Sequence, residues 1–375
     1  MPPEYFIFGL VLVGVALFHH RTFEVATAGT VVLILYKVFW TRLDLVEHLA
    51  HEWRLLINLL GLLLGFALLA KHFEESQVPN WLPDRLPSGW AGGFLLLWIV
   101  AFISMFLDNI AGAMIGGVIA KRMYQEKVCL SFIVALVAAS NAGGAGSVIG
   151  DTTTTMMWIA GVPATVFLKA FIGAATAISF SGIIASRKQD KFQPIVKSAG
   201  QIVKIDVARL CIVGLIVFGT IVANVSLDFP AIGLWAGILI GAFIRPTQWF
   251  ELRHALKGSF FLILLVISAS VMPVESLPTP TWQTAFGLGF LSAVFDNIPL
   301  TALAIFQGGY DWAVLAYTVG YGGSLIWFGS SAGVAIANIF PQAKNSLDWL
   351  KEGWHVAVGY VLGFFLMLLF GGWRP

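Results

Sequence analysis

The chain has 375 residues, of which 58% are hydrophobic and 11% charged, with a formal net charge of +2 at pH 7. A soluble domain carries about twice that charged fraction, so a water-soluble globule is excluded, and so small a net charge argues against a nucleic-acid partner. The two cysteines, Cys129 and Cys211, sit in or beside apolar runs and supply neither a disulfide framework nor metal-site spacing.

Apolar runs near the ~20 residues that span a bilayer recur from end to end. A transmembrane barrel would show short alternating segments instead, so the fold class is an all-α polytopic membrane protein. The first run, "EYFIFGLVLVGVALF" at 4–18, lacks the basic region of a cleaved signal peptide and is expected to stay as a span. Spans are expected near 4–19, 23–40 and 55–71. Between the last two, "EHLAHEWR" at 47–54 places His48 and His51 at i and i+3. It is not His-Glu-x-x-His, and its charged amphipathic pattern reads as an interfacial helix rather than a metal motif. A hairpin is expected over about 90–125, a broken span over about 128–160 and a final span over 165–186. A Lys-rich linker at 188–206 follows and is expected to be cytoplasmic by the positive-inside rule. Then come spans near 207–226, 229–245 and 257–273, a hairpin over about 279–310, a broken span over about 312–340 and a last span at 354–372. The fourteen tryptophans lie mostly near run ends and read as interface anchors.

The order of elements repeats. "FLDNIAGAMIGGVIA" at 106–120 has its counterpart in "VFDNIPLTALAIFQG" at 294–308, with Asp108 and Asp296 separated by 188 positions. "AGGAGSVIGD" at 142–151 pairs with "YGGSLIWFGS" at 321–330, at an offset of 179. Two motifs repeating in the same order imply homologous halves, 1–187 and 207–375. Arg85, Lys121, Arg122 and Lys127 flank the first Asp-Asn segment, whereas no Lys or Arg flanks the second. Equivalent segments therefore face opposite sides, which makes the architecture an inverted-topology repeat. It has about ten transmembrane helices, two re-entrant hairpins and both termini external. The acidic "KHFEESQVPNWLPDR", which this scheme makes cytoplasmic, fits it poorly.

Asp108, Asp151 and Asp296 fall in or beside apolar runs. An ionisable group at bilayer depth is expensive and usually faces a cavity on an ion or proton path; the bland alternative is a helix cap or a pair with a loop Lys. Asn109 and Asn297 follow two of the aspartates. Amide oxygens at a hairpin tip suit a small hard cation, and they also suit the backbone groups of a turn. Pro299 is expected to break the second hairpin. Gly143, Gly144 and Gly150, with Gly322, Gly323 and Gly329 in the second half, disfavour a continuous helix and point to unwound crossings that line a cavity. Asp151 and Thr152 stand where a half-helix would begin. Asp151 either only caps it or, with Ser147 and the Thr hydroxyls, also coordinates a cation. Ser330 and Ser331 replace Asp151 and Thr152 in the second half, so the two half-sites are chemically unequal.

These signatures resemble those of the ion transporter superfamily, and among its members the NhaD-type sodium/proton antiporters. The family's Gly-Gly…Ser-Pro-Ile-Gly-Asp-Thr-Thr-Thr run matches Gly143, Gly144, Ser147, Ile149, Gly150, Asp151, Thr152, Thr153 and Thr154. Its second half matches Asp296, Asn297, Pro299, Gly322, Gly323, Gly329, Ser330, Ala332 and Gly333. Val148 stands where the family has Pro, and Ala111-Gly112 where a Thr pair follows Asp-Asn. The resemblance implies a homodimer with a scaffold of outer spans and a mobile, elevator-like domain.

The expected function is secondary exchange of Na⁺ or Li⁺ for H⁺, because a buried carboxylate can bind either ion. Asp108, Asp151 and Asp296 are the candidates to titrate and to coordinate Na⁺, with Asn109, Asn297, Ser147, Thr152, Ser330 and Ser331 completing the shell. The alternative is a sodium-coupled carboxylate or oxyanion carrier. Against it, no Lys or Arg lies within ten residues of Asp296, Gly143 or Gly323. An enzyme is not expected, since no intramembrane His or Cys constellation supplies a nucleophile or a metal cluster. No cofactor is expected beyond the transported Na⁺ and H⁺. The partners are the lipid bilayer and small cations, and the location is a membrane, most simply a bacterial inner membrane.

Overall fold

The computed structural model describes residues 2–18, 21–197 and 203–375; residues 198–202 of the expected linker, and residue 19 at the end of the first expected span, lie outside them. Among the described residues the regular structure is entirely helical. The first half contains α1 (Pro3–Leu17), α2 (Thr22–Trp40), α3 (Leu45–Glu75), α4 (Val78–Trp81), α5 (Trp90–Leu107), α6 (Asn109–Met123), α7 (Leu130–Ala145), α8 (Thr152–Ile159) and α9 (Ala170–Phe192). The second contains α10 (Val207–Leu227), α11 (Pro230–Ile244), α12 (Glu251–Ser270), α13 (Trp282–Ser292), α14 (Asn297–Gln307), α15 (Trp312–Gly322), α16 (Ser331–Ile339), α17 (Ser346–Glu352) and α18 (Trp354–Gly371). Among the described residues, seven helices are long and apolar enough to cross a membrane: α2, α3, α5, α9 with the turn before it, α10, α12 and α18. The chain thus has the build of a polytopic membrane protein.

Two boundaries differ from expectation. "EHLAHEWR" is not a separate interfacial helix but the first turns of α3, a 31-residue helix that starts where the Asp44 side chain accepts from the Val46 and Glu47 N–H groups. From Leu45 no Gly or Pro occurs until Gly61, so nothing stops the first turn from propagating. Pro299 does not break the second hairpin either. It lies in the first turn of α14, where its missing N–H has no intrahelical acceptor to lose. The break falls before it, at 293–296, and Asp296 caps the new helix.

The apolar side chains form two clusters. The larger joins α5, α6, α7, α9, α15 and α18 and extends onto α3, α10 and α11. The smaller is built from α1, α2, α12 and the first half of α3, and reaches Met156 of α8 and Ile298 and Ala302 of α14. Within the larger cluster α5 and α6 fold back on each other about Asp108. A Cβ on Gly112 would meet Ser104, and one on Gly116 would meet Val100, which is the pairing of an antiparallel hairpin. Asp108 itself has φ 74°, a left-handed value that L residues other than Asn and Asp seldom adopt.

α9 runs the length of this body. Near its C-terminus Arg187 stacks over Trp90 at the start of α5, and Gln189 accepts from the Cys129 N–H at the start of α7. At its other end Lys169 pairs with Asp311, between α14 and α15. The open ends of the α5–α6 and α13–α14 pairs thus lie at opposite ends of α9.

Candidate functional site

Gly143 and Gly144 lie in the last turn of α7 and Gly322 ends α15, so these glycines are helical rather than unwound as expected. The breaks follow them, before α8 and before α16, and both regions are lined by close backbone contact. A Cβ on Gly143 would stand 2.0 Å from the Ala101 carbonyl oxygen, and one on Gly322 2.2 Å from that of Gly289. Gly150 lies in the same way against the Ser104 carbonyl (2.4 Å) and Gly329 against that of Ser292 (2.8 Å). A Cβ on Gly144 or Gly323 would stand 2.4 or 2.8 Å from the carbonyl oxygen of Gly150 or Gly329, respectively. No side chain fits such approaches, which is why glycine occupies them. The hydrogen bonds match too. Ser104 Oγ donates to the Ser140 carbonyl and Ser292 Oγ to the Val319 carbonyl, both at 2.7 Å.

α8 starts inside this opening. Asp151 Oδ1 accepts from the Thr153 N–H (2.9 Å) and Thr153 Oγ1 (2.9 Å), while Oδ2 accepts from Asn109 Nδ2 at 3.0 Å. Asp151 is 1% exposed, and no Lys or Arg is among its partners. It is therefore a cap and, through Oδ2, also a group turned toward the α5–α6 tip. Thr154 and Thr155 bond back to the carbonyls of Ser147, Val148 and Asp151.

A small cavity lies at this point. Asn109 and Ile110 of α6, Asp151 and Thr152 at the start of α8, and Asn297 and Ile298 of α14 form three of its walls. Ser331 of α16 and Leu262 of α12 complete it. Asp296 stands behind Ser331, whose Oγ donates to Asp296 Oδ2 at 3.5 Å; its Oδ1 accepts from the Ile298 N–H at 3.0 Å. Ser330 does not reach the cavity. Its hydroxyl caps α16 by accepting from the Gly333 N–H and also accepts from Asn141 Nδ2. Ser147 turns away as well, donating to the Met105 carbonyl at 2.6 Å, so it braces the unwound segment against the end of α5. Asp108 lies at the tip beside Asn109 but outside the cavity wall, with Oδ1 buried and without a hydrogen-bond partner among the described residues.

Among the described residues no three His, Cys, Asp or Glu side chains group to hold a metal ion, and the three aspartates do not form such a group. What gathers around the cavity is one carboxylate, Asp151, with the amides of Asn109 and Asn297 and the hydroxyls of Thr152 and Ser331. This set offers a single negative charge and several neutral oxygens, a combination suited to a small monovalent cation. Among the described residues no Lys or Arg lines the cavity, so an anion would meet no counter-charge from them there.

Sequence reasoning missed Asn141. This fully buried side chain accepts from Asn109 Nδ2 at 3.1 Å and donates to Ser324 Oγ (2.9 Å) and Ser330 Oγ (3.0 Å). It ties the α5–α6 tip and the end of α7 to the segment between α15 and α16. A signal was present: Asn141 is an amide inside the apolar run that precedes the glycines.

No family model matches the chain. Among curated proteins it is 25% identical to Sodium/proton antiporter 1 of Arabidopsis thaliana, over 86% of this chain and 62% of that protein. It is 26% identical to the Na(+)/H(+) antiporter NhaD of Vibrio cholerae, over 72% of this chain and 69% of the relative. To the NhaD antiporter of Alkalimonas amylolytica it is 28% identical, over 71% and 67%. The chain thus spans about two thirds of the length of these relatives.

Proposed function

We infer that this chain, related over most of its length to NhaD-type sodium/proton antiporters, is a secondary transporter that exchanges Na⁺ or Li⁺ for H⁺. The observation that carries this reading is Asp151, a buried carboxylate in a cavity of neutral oxygens with no cationic side chain in its wall. A bare charge is costly at such depth, so the site is occupied by a proton or by a cation, and each displaces the other. Asp151 holds the exchanged ion; Asn109, Asn297, Thr152 and Ser331 offer oxygens to the cation; Asp296 orients Ser331. Asp108, with an unpartnered buried oxygen at the tip, is the second group able to carry a proton. Ser147 and Ser330 keep the unwound crossings in shape.

The matched glycine contacts, the matched serine bonds at Ser104 and Ser292, and the opposite placement of the two hairpins along α9 support an inverted repeat of 1–187 and 207–375 joined by a linker at 188–206. In this reading α5–α6 and α13–α14 are re-entrant, and α1, α7–α8, α11 and α15–α16 add crossings to the longer helices, giving about ten spans. A homodimer and an elevator-like motion rest on the family resemblance. The relatives come from bacteria and from a plant, so kinship alone does not select a bacterial inner membrane or fix the side on which the termini lie.

ΔpH-driven Na⁺ uptake into everted vesicles tests the reading. Asp151→Asn abolishes uptake and Asp296→Asn reduces it; full uptake by both variants would refute the assignment.

A further inference from the structure

The cavity wall is uneven in origin. Asn109, Asp151, Thr152, Asn297 and Ser331 come from hairpins and unwound crossings, as do the two isoleucines beside them. Leu262 alone comes from α12, a continuous helix whose buried side chains belong to the smaller apolar cluster. It is 6% exposed, and Leu265 and Val266, one turn further along α12, are fully buried. Met156 of α8 and Ile298 of α14 pack into that same cluster. The cavity therefore sits on the seam between the two clusters, and a hydrocarbon side chain closes it on the α12 side.

An ion or a water file leaving along this seam would pass the Leu262 isobutyl group, which offers no hydrogen bond. Apolar constrictions of this kind block permeation by dewetting. We propose that Leu262 is the barrier residue of the cavity: it seals the cavity along α12 and so couples release of one ion to binding of the other. This rests on the cation-exchange reading for its consequence in coupling, but the seal itself is a property of the wall.

Passive proton entry tests the seal without calling on exchange. The full chain in liposomes, under a negative potential clamped with K⁺ and valinomycin and with no Na⁺ or Li⁺ present, is monitored with an internal pH dye. Leu262→Ala, which opens space, and Leu262→Asn, which keeps bulk but wets the wall, both leak protons at least about tenfold faster than the parent, which corresponds to about 1.4 kcal/mol in the barrier. Leu262→Met and Leu265→Ala stay tight, the latter showing that loosened packing on α12 is not enough. If folded Leu262→Ala and Leu262→Asn are both as tight as the parent, Leu262 is a packing residue only and the proposal falls. If the parent fails to exchange Na⁺ for H⁺ while the two variants leak, the seal stands and the functional reading fails.

Discussion

Asn141 uses one amide group for three hydrogen bonds, to Asn109, Ser324 and Ser330, and each partner is itself buried. Asn141→Ala strands donors and acceptors that water cannot reach, at about 1–3 kcal/mol for each buried group left unsatisfied. The expected result is a lowered unfolding temperature in detergent, together with weakened exchange because Asn109 loses its second anchor. Asp151 raises a different question, whether it caps a helix or holds the ion. Asp151→Asn separates the two, since an Asn side chain still accepts from the Thr153 N–H but carries no charge. Unfolding temperature near that of the parent with exchange lost is the expected outcome; exchange retained would leave Asp151 as a cap alone. The aspartates were legible in the sequence because a charge inside an apolar run is conspicuous. Asn141 gave a weaker signal, an amide in an apolar run, because it is neutral and its counterpart in the second half is Gly320, so the repeat did not flag it. Its partners Ser324 and Ser330 lie 183 and 189 residues away, a closeness that only the fold creates.

The reason for glycine differs from one position to another, and in the helix turns that precede the two breaks it is close helix packing. At Gly143 a methyl group would overlap the Ala101 carbonyl oxygen, and at Gly322 that of Gly289. Backbone cannot yield as a flexible side chain does, so Gly143→Ala and Gly322→Ala are expected to disrupt packing of α7 on α5 and of α15 on α13 and sharply reduce folded yield by size-exclusion profile. Gly214, within α10, has nothing within 4 Å of its Cβ position. Gly214→Ala should therefore stabilise, by roughly 0.5–1 kcal/mol, and raise the unfolding temperature slightly. Both glycine-rich breaks could be read from composition, because several helix-unfavourable residues cluster where an apolar run should continue. The start of α3 and the position of Pro299 could not. A Pro interrupts a helix interior but is welcome in a first turn, and the sequence alone does not tell which of these it occupies.

At the scale of the whole molecule, α9 measures the arrangement, with the α5 start at one end and the region between α14 and α15 at the other. Lys127 and Thr279 are both exposed and belong to loops next to opposite ends. In a background of Cys129→Ser and Cys211→Ser, Lys127→Cys and Thr279→Cys should react with an impermeant thiol reagent from opposite sides of right-side-out and inverted vesicles. Labelling from the same side would overturn the inverted arrangement. The proposal of opposite sides came from the sequence, where Lys and Arg crowd the first Asp-Asn segment and avoid the second. The division into two apolar clusters was not legible, since leucines facing lipid, core and seam look alike in a sequence this hydrophobic.

One buried carboxylate, Asp151, is proposed to exchange a small cation for a proton. Its most direct test is proton movement from proteoliposomes on addition of Na⁺, Li⁺, K⁺ or a carboxylate anion, with the parent chain and with Asp151→Asn. The account predicts saturable proton efflux driven by Na⁺ or Li⁺ in the parent and none in Asp151→Asn; a parent driven only by the carboxylate, or an Asp151→Asn variant that still responds to Na⁺, would contradict it.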